Sequence, residues 1–160
     1  MTEHVLFAEP GNACGLRKNV AFQVRTGALT RGVLELMETH LRLWVARDGR
    51  RRRGFVLVVS PDAPIPTGDV ARKQLEVFSR VRAFEDSFVA LTIEGAGLGV
   101  AARRAFYRLL TRGMNIGIFS DVAAAAAWLT KQLESQGESH EVSAFVEVLR
   151  ARSLAGPTSG

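Results

Sequence analysis

Three alternating glycines, Gly95-x-Gly97-x-Gly99, follow the apolar run 88–93 and are the first place to look for chemistry. A glycine turn between a strand and a helix can lay backbone N–H groups against a phosphate. A dinucleotide fingerprint needs its third glycine three residues past the second, and Val100 stands there. The fingerprint also belongs to a first βα unit, with an acidic residue about 20 positions onward. Here the run comes late, and Asp121 reads as a helix cap. No Lys-Ser or Lys-Thr pair completes a P-loop. The spacing predicts a tight turn that lets a helix pack closely on a sheet.

The other reactive residue types are scattered. His4, His40 and His140 fall on separate elements without ligand spacing, so no metal site is predicted. Ser60 and Ser120 end strands but sit in no nucleophile elbow. Cys14 lies in a Gly/Asn stretch near Arg17 and Lys18, cations of the kind that lower a thiol pKa, yet no histidine base adjoins it. Being the sole cysteine, it excludes an internal disulfide framework. Asp62, Glu94 and Asp121 end successive strands and could converge in a pocket. Each serves equally well as a cap or a solvated loop residue. No catalytic residue and no cofactor is predicted.

The 160 residues are 47% hydrophobic and 23% charged, which fits one soluble domain with a substantial core. A formal charge of +5 raises the question of a polyanionic partner. The arginines Arg47 and Arg50 to Arg53 lack the interleaved aromatics that stack on bases, so nucleic acid is not expected. Their run reads as a solvated loop, the alternative being a docking patch for an acidic partner, a phosphate or an anionic lipid. The N-terminus shows no basic segment leading into an apolar core. The longest apolar run, 122–129, falls short of the roughly 20 residues of a membrane span. A cytoplasmic protein with no membrane span is expected.

Hydrophobic periodicity supplies the elements that would position these residues. Runs 5–8 and 20–24 read as strands of an N-terminal pair, with 12–18 as their connection. Thr30 caps a first helix that buries Val33, Leu34, Met37, Leu41, Trp44 and Val45 and ends at Gly49. Run 55–59 reads as a strand covered on both faces. Thr67 opens a second helix with Val70, Gln74, Val77, Phe78, Val81 and Phe84 on one side, and Glu85 turns the chain into strand 88–93. In the third helix Leu98, Ala101, Ala102, Ala105, Phe106, Leu109 and Leu110 are assigned inward, Arg103, Arg104, Arg108 and Arg112 outward, and Gly113 the C-cap. Strand 115–119, a fourth helix capped by Asp121, and an amphipathic stretch 142–149 complete the chain. This predicts an α/β fold: a mostly parallel sheet with an N-terminal antiparallel strand and helices on both faces. Residues 1–137 form the domain, 138–152 a C-terminal amphipathic helix available for homodimer contact, and 153–160 a flexible tail.

Residues 20–133 resemble the SpoIIAA-like, or STAS-like, α/β domains of bacteria. The resemblance lies in Val24-x-x-Gly27-x-Leu29-Thr30 entering the first helix, the strand at 55–59 and Phe84-Glu85 closing the second helix. It continues through the strand at 89–93 to Phe119 and Ala125-x-x-Trp128-Leu129. In the related anti-sigma-factor antagonists the strand-to-helix turn reads Asp-Ser-Ser-Gly-Leu-Gly-Val, and its second serine is phosphorylated. This chain has Glu94-Gly95-Ala96-Gly97-Leu98-Gly99-Val100, so Ala96 replaces that serine and the resemblance implies a turn without a phospho-switch. It implies a non-enzymatic regulatory domain that binds a protein partner through Glu94, Gly95, Ala96, Gly97, Leu98 and Gly99, joined by Arg103 and Arg104. The alternative is a lipid or small apolar ligand, as in the CRAL-TRIO domains to which the SpoIIAA-like group is related in fold. An apolar cavity between the sheet and a helix discriminates the two.

Overall fold

Residues 3–48, 52–82, 84 and 86–155 are described by a computed structural model. The predicted cap at Gly49, the arginines Arg50 and Arg51, Glu85, the side chain of Leu110 and the tail from Gly156 lie outside the described residues.

The chain runs β1 (His4–Glu9), β2 (Asn12–Arg17), β3 (Val20–Arg25), α1 (Arg31–Asp48), β4 (Arg53–Val59), α2 (Gly68–Arg82), β5 (Ser87–Ile93), α3 (Leu98–Leu110), β6 (Ile116–Phe119), α4 (Val122–Gln132), a 3-10 turn (Gln136–Glu138) and α5 (Ser139–Ala155). One six-stranded sheet takes the strands in chain order. Pairing is antiparallel from β1 to β3 and parallel from β3 to β6. The α/β class and mixed sheet are as the periodicity predicts.

The antiparallel part is one strand larger than expected. Residues 12–17 are not a connection but the central strand of a meander, paired on both sides. Two tight turns make this possible: Pro10-Gly11, with Gly11 at φ 89°, and Lys18-Asn19, with Lys18 at φ 51°.

Strands laid down in chain order make every parallel crossover step the same way across the sheet. Crossovers of one hand then put their helices on one face. Accordingly α1, α2 and α3 share a face, packed on Ala21, Phe55, Leu57, Val59, Val89, Leu91 and Ile93. The opposite face, with Val20, Phe22, Val24, Val56, Val58 and Ala90, is covered by α4 and α5. Its cover is close: a Cβ on Gly15 would sit 2.7 Å from the Phe145 ring, so glycine in β2 admits α5.

Two expectations about the chain's end are corrected. The stripe Val142, Phe145, Val146 and Leu149 is buried against this chain's own sheet, which removes it as a dimer contact. Residues 153–155 continue α5, with Ser153 buried, and so do not belong to the flexible tail expected from 153 onward. The helix belongs to the same core because the sheet face beneath it has no other cover.

Candidate functional site

The glycine turn has the expected shape. Gly95 and Gly97 adopt φ 96° and 103°, backbone that only glycine takes without strain, and Gly97 caps α3. Ala96 is exposed at its tip and offers no hydroxyl.

Around the turn the charged residues separate. Arg103 Nη1 donates to Pro61 O at 2.8 Å, and Arg104 Nη2 donates to Ile93 O at 2.9 Å and Gly95 O at 3.0 Å. Both arginines fasten α3 to the carboxyl ends of the strands and are not on the helix's outer face. Glu94 turns to the other side of the sheet, where Arg150 Nη1 donates to it at 2.6 Å. Burial opposes charge on Arg150, but hydrogen bonds and attraction from Glu94 and Glu147 outweigh it and raise its pKa. Glu94 therefore stands apart from Arg104, which is bonded to the turn itself.

The inward and outward faces of α3 differ from those predicted, although Arg108 and Arg112 are exposed as expected. Val100, Tyr107 and Thr111 are buried, with Arg103 and Arg104 on the same side. Ala101, Ala102 and Ala105 face solvent, as do Leu98 at 92% exposure, Leu109 at 67% and Phe106 at 39%. The inward stripe combines Val100 and Tyr107, packed in the cluster on the sheet face, with arginines that hydrogen-bond carbonyls at and just past the strand ends. The helix closes at Thr111, and Gly113 takes the left-handed turn behind it.

The three strand-end carboxylates do not converge. Glu94 pairs with Arg150, Asp121 Oδ1 accepts from Ala124 N at 2.8 Å as an N-cap, and Asp62 lies exposed in the β4–α2 loop. Among the described residues no three His, Cys, Asp or Glu side chains are grouped to hold a metal ion. The basic run divides too. Arg52 pairs with Glu134 at 3.1 Å, whereas Arg53 is buried in β4 over the Trp44 ring and donates to Val45 O.

A cavity of about 70 Å³ opens in the layer between the sheet and α1/α2. Cys14, Ala21, Gln23, Phe55, Leu57 and Val89 form its floor; Leu34, Met37, Leu41, Val77, Phe78 and Val81 are among its helical lining. Leu6 also lines it, at the irregularity in β1–β2 pairing that re-aims a side chain. Leu6, Met37, His40 and Leu41, all half-buried, line it where β1 meets α1. No Asp, Glu, Lys or Arg is among the lining residues.

Its polar groups are few. Gln74 Nε2 donates to Tyr107 Oη at 3.4 Å. Burial, with a smaller contribution from Glu9, pushes the Cys14 thiol well up and so disfavours its thiolate. Gln23 is 7% exposed, and its amide nitrogen has no hydrogen-bond partner. An orphaned buried group of this kind costs about 1–3 kcal/mol. Arg25 Nε and Asn12 Oδ1 also lack partners, but neither residue lines the cavity.

Sequence reasoning missed Gln23. Its signal is a carboxamide inside the apolar strand Val20-Ala21-Phe22-Gln23-Val24, on the face opposite Phe22. In a half-solvated sheet that position would face water; here α1 and α2 cover it. Compared with family models, curated proteins and solved structures, the chain matches none of them significantly.

Proposed function

We propose that this chain is a non-enzymatic, SpoIIAA-like binding domain that holds a small apolar molecule, or the end of an apolar chain, between its sheet and α1/α2. The observation that carries this reading is the cavity itself: largely apolar walls, no Asp, Glu, Lys or Arg among the described lining residues, and a carboxamide left without a partner. Apolar pockets with a few placed polar groups are the usual form of small-ligand sites. The test is an NMR titration of the labelled protein with pentane. Shifts concentrated at Gln23, Leu41 and Leu57 are expected. A spectrum unchanged at saturating pentane refutes the reading, and native mass spectrometry of the purified protein would show any molecule carried along.

A second reading has its own observation. The outward face of α3 presents Leu98, Phe106 and Leu109 beside three exposed alanines, a contiguous apolar strip of the kind that marks interaction sites. It supports the regulatory, protein-binding role, with the glycine turn at one end of the contact. Substituting Leu98→Glu with Leu109→Glu is expected to abolish recovery of a protein partner while leaving the fold intact. Undiminished recovery would count against it.

A further inference from the structure

Six residues stand in register across the sheet on the face that α1, α2 and α3 cover: Phe7, Cys14, Gln23, Leu57, Leu91 and Ile118. Gln23 alone among them carries a strong hydrogen-bonding side chain, and it stands where the cavity opens. Hydrophobic packing gives no reason for a carboxamide at that register position, since leucine fills the next one in β4. The amide nitrogen is unpartnered, and the neighbouring cavity carboxamide, Gln74, is engaged with Tyr107.

We infer that the Gln23 carboxamide is the polar anchor of the cavity, and that the ligand is an uncharged molecule whose apolar body ends in a single hydrogen-bonding oxygen, as in a ketone or an alcohol. This rests on the reading of the cavity as a binding site. An ionised head group deep in the cavity is disfavoured, because no Asp, Glu, Lys or Arg is among the described lining residues and the lining's one imidazole, His40, is half-buried. Size limits what enters. An engineered apolar cavity of about 150 Å³ takes up benzene, or about 25 Å³ per heavy atom. The space of about 70 Å³ then holds about three heavy atoms. A methyl ketone end fills it, and the rest of the chain leaves past Met37 and Leu41.

The experiment compares 2-pentanone, pentane and pentanoate on the wild-type chain, on Gln23→Leu and on Gln23→Met. Dissociation constants come from NMR titration, with the Gln23 side-chain NH₂ resonances as the local readout. The ratio of the ketone and alkane constants, compared between variants, cancels each probe's own hydration. Removing the carboxamide is expected to shift that ratio about tenfold against the ketone, the size of one hydrogen bond. In the wild type the Gln23 NH₂ signals move with 2-pentanone, and pentanoate binds weakest of the three. The methionine variant keeps an unbranched side chain and guards against a packing artefact. A ratio unchanged within about twofold in both variants overturns the inference even if every probe binds. So do NH₂ signals that 2-pentanone leaves in place, which is the outcome for a tightly held water. If no probe binds, the binding reading itself falls, and this inference with it.

Discussion

Replacing Ala21 with isoleucine adds three carbons on the cavity floor, at a position flanked in register by Leu16 and Phe55. Burying three carbons is worth about 2.4 kcal/mol at roughly 0.8 kcal/mol each. Fixing the larger side chain costs about 0.5–1 kcal/mol. At about 25 Å³ per heavy atom the addition occupies about 75 Å³, close to the space of about 70 Å³ that is there. The expected net gain is about 1.5–2 kcal/mol, which in a chain of this size raises the melting midpoint by about 3–8 °C. A floor already packed to native density reverses the sign, because overfilling costs about 1–3 kcal/mol. Urea unfolding with linear extrapolation, run beside a thermal melt, reads the sign directly. The filled variant is also expected to lose its response to pentane. Destabilisation by about 1 kcal/mol or more, at an unchanged denaturant slope, refutes the cavity and the binding reading built on it.

Gly15→Ala places a methyl group 2.7 Å from the Phe145 ring and 3.0 Å from the His4 carbonyl, so a loss of about 1–3 kcal/mol is expected in urea unfolding. Combining it with Phe145→Leu is expected to cost less than the two single effects summed; strict additivity would show that α5 does not press on β2 there. Gly97→Ala meets open space but must hold φ 103°, and is expected to cost about 1–2 kcal/mol from strain alone; no change would place the turn in another conformation. Cys14 is expected to resist a thiol reagent at pH 8 until the protein is unfolded, and rapid labelling of the folded chain would contradict its burial. A hydrogen bond from Lys18, outweighing desolvation and assisted by Arg17, holds the Glu138 carboxyl below its usual value of 4.5. Its small contribution to stability is present above the unfolded pKa and lost as pH falls through the lower folded one. Glu138→Gln is therefore expected to flatten the acid limb of a stability–pH curve below about pH 4.5, and an unchanged limb contradicts the ion pair.

Much of the fold is legible because local chemistry and burial agree. The continuous run at 55–59 requires cover on both faces, and β4 has it. Thr30 Oγ1 accepts from Val33 N at 3.2 Å, the cap its position predicts. The failures share a physical origin: each depends on a partner that sequence does not display. β2 contains asparagine and glycine, weak strand formers, and turns into β3 through a left-handed lysine in place of glycine. It is held in the sheet by hydrogen-bonded neighbours on both sides. The cavity depends on how α1 and α2 settle over β2, β3 and β4, a tertiary fact with no local signature beyond Gln23.

The facing of α3 bears most directly on function. Its residues 100, 104, 107 and 111 recur at helical spacing, yet Arg104 reads as polar and outward in the sequence, and none of the other three is assigned inward there. The strand ends leave carbonyls that must find donors, and an arginine that satisfies two of them outweighs a leucine that would cover them. The apolar side of α3 is therefore left to solvent as a consequence of how the helix is fastened. That same fastening side carries Tyr107, whose hydroxyl receives the hydrogen bond from Gln74 of the cavity lining. Gln74 and Tyr107 thus join the cavity lining to the helix whose apolar side faces solvent.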